Sequence, residues 1–188
     1  MKNFILLLTL IFLSGTLFAQ QSKPDVDVLR VGINGAFFTS GDIYMPAISI
    51  DYAHPLNNFM AISPRIIGAY HNKVRYGVNR FSSSLAAALS LRIKPLPGIF
   101  DPLKFDIGAL YHHYKTSELF ILDPATSTSA NYSYLLEDLF GLIGSISIDF
   151  PSKRQLFWGG RFDVLTSFHS DYFNIDSWQL GIYGGLKF

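Results

Sequence analysis

The stretch "FSSSLAAALSLRI", residues 81–93, can be read with two different periods. Its Ala and Leu content favours a helix, and Phe81, Leu85 and Leu89 would stack at i, i+4 and i+8 on one helical face. Taken two at a time, Phe81, Ser83, Leu85, Ala87, Leu89, Leu91 and Ile93 form one row, and Ser82, Ser84, Ala86, Ala88, Ser90 and Arg92 form the other. That pattern is a strand with one apolar face. The two periods overlap in a run this short, so the neighbouring segments decide between them.

They repeat the alternation. Residues 29–38 set Leu29, Val31, Ile33, Gly35 and Phe37 against Arg30, Gly32, Asn34 and Ala36. Residues 46–53 oppose Ile48, Ile50 and Tyr52 to Ala47, Ser49 and Asp51, and residues 59–70 place Met60, Ile62, Ile66 and Tyr70 opposite Ser63 and Arg65. Pro64 has no N–H for a ladder bond, so a bulge is expected there. Further segments follow at 104–114, 137–150, 155–165 and 178–188, each with bulky apolar residues on one row and Gly, Ser or charge on the other. Eight segments of about 8 to 13 residues fit strands. Their connections read as alternately short (54–58, 94–103, 151–154) and long and polar (39–44, 71–80, 115–134, 167–177).

The first 19 residues carry Lys2, an apolar run and then small residues up to Ala19, the pattern of a secretory signal peptide. The expected organisation is a signal at 1–19 and a single domain at 20–188. Removing the signal takes one lysine from the 15 basic residues and none of the 14 acids, leaving 14 of each. A neutral balance offers no steering toward nucleic acid. Cysteine is absent, so no disulfide framework holds this exported chain. Hydrophobic residues make up 49% and charged residues 15%, yet beyond the signal no run is long enough for a membrane helix. Contact with a membrane would therefore be through strands.

The polarity of the two rows sets the orientation. Gly, Ala, Ser and scattered charges suit the narrow interior of an eight-stranded barrel, and bulky apolar residues suit lipid. The expected fold is all-β: an eight-stranded antiparallel up-and-down transmembrane β-barrel with both ends in the periplasm. Aromatics near segment ends, among them Phe37, Tyr52, Phe59, Tyr70, Phe81, Phe105, Tyr111, Phe150, Trp158 and Trp178, are candidates for interfacial girdles. The inward row carries Arg30, Asp51, Arg65, Arg92, Asp106, Asp149, Arg161 and Asp163, with Lys104, Glu137 and Lys187. Charges of both signs in a narrow interior should pair, fill the bore and leave no large pore.

Over its mature length the chain resembles the small eight-stranded outer-membrane barrels of Gram-negative bacteria, of the OmpX and OmpW kind. The terminus "GIYGGLKF" is similar to the signal read by the barrel assembly machinery, with Phe188 last and Leu186, Ile182 and Leu180 before it. The resemblance implies an outer-membrane location, periplasmic chaperones and the assembly machinery as partners, and membrane lipids with lipopolysaccharide as neighbours. A monomer without cofactor or metal is expected, in a structural or surface-interaction role.

Three alternatives compete with this reading. A lipid-A-modifying enzyme would need a nucleophile and base, and "SFHSDYFNID" offers His169 and Ser170 with Asp171 or Asp176. The resemblance to deacylase barrels is confined to a His and a Ser near the penultimate strand's end. Adjacent residues on an extended chain face opposite sides, so solvated loop residues are the preferred reading. His112 and His113 are neighbours for the same reason and cannot share a metal. A channel for small solutes is the second alternative, and a soluble barrel with apolar rows inward around an apolar ligand is the third.

Overall fold

The structure, a computed structural model, describes residues 26–38, 44–75, 78–95, 102–120, 131–150, 155–168 and 173–188. Eight strands form a closed antiparallel barrel in chain order: β1 (Val28–Phe38), β2 (Tyr44–Pro55), β3 (Met60–Arg75), β4 (Val78–Ile93), β5 (Leu103–Phe120), β6 (Asn131–Phe150), β7 (Leu156–Phe168) and β8 (Phe173–Lys187). Closure comes from β1 pairing with β8, from Val28 opposite Lys187 to Phe38 opposite Ser177. No strand edge is left unpaired along this seam, which hydrocarbon requires because it has no water to bond free N–H and C=O groups.

Residues 81–93 lie within β4 and alternate in burial as a strand must. Leu89, Ile146 and Ile182 face outward, whereas Ser90, Ser147 and Arg161 are buried in the bore. That orientation rules out the soluble barrel with inward apolar rows. The exterior carries two aromatic belts. Away from the chain ends, Phe37 stacks on Trp178 at 4.1 Å and Tyr111 tilts against Phe140. At the terminal end Phe150 stacks on Trp158 at 4.0 Å, and Tyr52 lies near Phe188. Trp178 and Phe188 are ten residues apart, about 33 Å of strand, or roughly 25 Å across a membrane at about 40° tilt. Ile33, Ile48, Ile66, Leu85, Ile107, Leu180 and Ile182 fill the wall between the belts.

Three expectations are corrected. Pro64 produces no bulge. The β2–β3 register is the same on both sides of it, Asp51 opposite Arg65 and His54 opposite Ile62, and the β3–β4 ladder runs through Pro64 opposite Leu89. Pro64 faces outward between those partners, so its missing N–H interrupts the β2–β3 ladder without shifting it. The register shift of this sheet lies between Leu165 and Thr166, where β7 meets β8.

Second, strand extends into three of the four long polar connections, those at 71–80, 115–134 and 167–177. β3 reaches Arg75 and β4 resumes at Val78, while β5 extends to Phe120 and pairs with Asn131 of β6. Polar residues can still build a ladder once they have left the apolar band, because pairing uses the backbone. Third, the bore is not filled by small and charged residues alone: Phe38, Met45, Ile67, Leu110, Ile143 and Leu165 are buried inside it.

Large and small side chains alternate across the ladders. Leu110 sits opposite Gly141, Ile143 opposite Gly108, Arg161 opposite Gly181, and Tyr183 opposite both Gly159 and Gly32. A Cβ at Gly108 would collide with Leu89 O and the Ser90 backbone, and one at Gly141 with Thr166 O. Outward Gly144 and Gly184 would meet nothing. We expect Gly141→Val to destabilise the barrel by about 1–3 kcal/mol or to prevent closure, and Gly184→Val to be tolerated. Electrophoresis with and without boiling distinguishes them, since only a closed barrel changes mobility on heating.

Candidate functional site

Through the apolar band alternate residues of the strands enter the bore, and the alternation stacks two chemically different layers there. Nearer the chain termini is an ionic layer. Asp51 of β2 accepts from Arg161 Nη1 at 2.5 Å, Arg92 Nη2 at 3.2 Å and Arg30 Nη1 at 3.3 Å, three strands converging on one carboxylate. Arg65 of β3 bridges to Asp106 at 2.7 Å and Asp163 at 2.9 Å, with Ser145 Oγ at 3.1 Å. Arg92 also donates from Nε to Asp106 at 2.7 Å, and Arg161 from Nε to Asp163 at 3.1 Å. Asp149 sits at the terminal edge of the layer and accepts from Arg30, Lys104 and Tyr183.

The structure thus brings Arg30, Asp51, Arg65, Arg92, Asp106, Asp149, Arg161 and Asp163 into one connected network, with Lys104 as a further member. Residues up to 119 positions apart in the chain meet across the bore. Guanidinium groups suit this role, because their planar fork spans two carboxylates at once. Glu137 lies on the inward row of β6 but far up the strand, outside this network. Tyr183 contributes more than a hydroxyl, since its ring lies under Arg30 at 5.4 Å and Arg161 at 5.7 Å.

Beyond the ionic layer lies an apolar one, built by Phe38, Met45, Ala47, Ile67, Ala69, Ala86, Leu110, Ile143 and Leu165. Met45, Ile67, Ile143 and Leu165 are at most 1% exposed. Their inward parity was present in the sequence, but a rule assigning bulk to lipid passes over them. Above this plug Ser84 Oγ meets His112 Nε2 at 2.7 Å, and Phe38 and Tyr114 stack nearby. His112 Nδ1 is buried without a partner, so no acid orients this serine–histidine pair as acyl transfer requires. His113 faces the other way and lies 2.7 Å from Asp138.

His169, Ser170 and Asp171 lie outside the described residues, as does the signal peptide. Asp176 is described, and it accepts a hydrogen bond from Ser167. Leu180, Ile182, Leu186 and Phe188 all face outward on the last strand and the residue after it. At the terminal rim, Asp27 O accepts from Phe188 N at 3.1 Å. Hydrogen bonds from Tyr52 and His54 hold the Asp27 carboxyl below the usual carboxylate range. The stability this clasp adds is present at neutral pH and is lost as pH falls through that lowered pKa.

A closed eight-stranded wall, apolar outside and filled inside, defines an integral barrel of the bacterial outer-membrane class. No protein-family model matches the sequence, and no curated protein does. Solved structures match the fold. A major outer membrane protein from Thermus thermophilus is similar with a TM-score of 0.55 at 11% identity, over 86% of this chain and 99% of that one. Ail, the attachment invasion locus protein of Yersinia pestis, gives 0.53 at 8% identity over 86% and 97%. Neisserial surface protein A gives 0.52 at 13% identity over 86% and 96%. Identities this low establish the shared architecture.

The ionic layer makes a specific demand on Asp51. Removing its charge leaves Arg30, Arg92 and Arg161 short of a buried partner, which costs about 3–5 kcal/mol for a buried pair. We expect Asp51→Asn to lower unfolding stability by that amount and Ser145→Ala, which keeps every ion pair, by about 1 kcal/mol. Urea unfolding in lipid vesicles, followed by Trp158 and Trp178 fluorescence, measures both.

Proposed function

We propose that this protein is a sealed outer-membrane anchor that holds extended hairpins at the cell surface in a structural or adhesive role, without catalysis. The observation that carries the reading is the pair of layers across the bore: ion-paired arginines and aspartates, then Met45, Ile67, Leu110, Ile143 and Leu165. A solute would have to displace both. Meanwhile the wall continues past the upper belt. From His112 to Phe120, β5 adds nine residues beyond Tyr111, roughly 30 Å of strand at about 3.3 Å per residue. Loops and hairpins on a rigid barrel are where recognition is built.

Catalysis finds no support in the bore, where Ser84 and His112 lack an orienting acid and are shut off from lipid by the wall. Lipopolysaccharide as neighbour, and chaperones with the assembly machinery as handlers of the terminal Leu180, Ile182, Leu186 and Phe188 row, belong to the same proposal. Reconstitution in planar bilayers tests the sealed bore. The expected record has no steady step of porin size, and such a step in the wild-type protein would overturn the reading.

A second reading concerns what the hairpins touch. The segment from His71 to Arg80 contains Lys73, Arg75 and Arg80 and no acid. Ail has been seen with the heparin analogue sucrose octasulfate, and a basic hairpin suits a sulfated or phosphorylated polysaccharide by the same chemistry. Retention on immobilised heparin that weakens with salt, and that falls at least about tenfold in a Lys73→Gln, Arg75→Gln, Arg80→Gln variant, is the expected result. Equal retention of that variant would remove the reading.

A further inference from the structure

We draw no further inference here: the strongest candidate, the β7-side edge of β6 that continues from Phe140 to Asn131 above its last pairing with β7 at Gly141 and Ser167, is unpaired among the described residues and nothing in the structure shows what covers it.

Discussion

A strand in hydrocarbon has no solvent to satisfy its backbone, so the seam between β1 and β8 is the constraint on which everything else depends. Closure at that seam must also occur in one register. Arg30 faces Gly185, Gly32 faces Tyr183 and Asn34 faces Gly181, so these three large inward side chains each meet a glycine across the seam. A slip of two residues would set Arg30 against Tyr183 and Asn34 against Gln179. A Cβ at Gly181 would already collide with Asn34 Oδ1. The inward glycines therefore do more than save room in a narrow bore: they select the register in which the wall closes.

The two layers of the bore follow from what that register brings together. Charge inside a membrane protein is tolerable only when it is paired and hydrogen-bonded. Asp51, Asp106 and Asp163 achieve this through arginines that each reach more than one carboxylate. Such a network depends on all of its strands being in place, so it opposes misregistered closure more than it adds net stability. The apolar layer has the opposite character. Met45, Ile67, Leu110, Ile143 and Leu165 pack without directional demands and exclude water from the middle of the bore. One layer specifies the register and the other seals the barrel.

This division explains what could be read in the sequence. Strand parity was legible, because a period of two over eight segments assigns nearly every side chain to lipid or bore. The inward charges were legible for the same reason, but which of them meet was not. Arg30 and Asp149 are joined only by closure of a barrel whose shear no single segment encodes. Ile143 and Leu165 were on the inward row, yet chemistry alone would send them to lipid; only the ladders show why they fit inside, Ile143 between Gly108 and Leu165, and Leu165 between Ile143 and Ser177. Pro64 misled because its missing N–H suggests a bulge, and an outward position lets the strand absorb the loss without changing register. The strand extensions were hidden because residues 115–120 are mostly polar and lie outside the apolar band that marks the other strands, although their backbone pairs with residues 131–136.

Sealing the bore also separates the two ends of the molecule. In an open channel the chemistry of either mouth bears on transport, and cations at one end act as a filter. Here the apolar layer lies between the cations of the terminal mouth, Arg30, Arg92 and Lys187, and the hairpins. Lys187 rests over the Phe157 ring at 5.2 Å, and Arg30 lies 5.5 Å from the same ring. These aromatic contacts hold two positive groups near each other in spite of their mutual repulsion. Asp51 and Asp149 in turn accept from Arg30 at 3.3 and 3.1 Å, so the protein's own carboxylates compensate charge at this end of the bore.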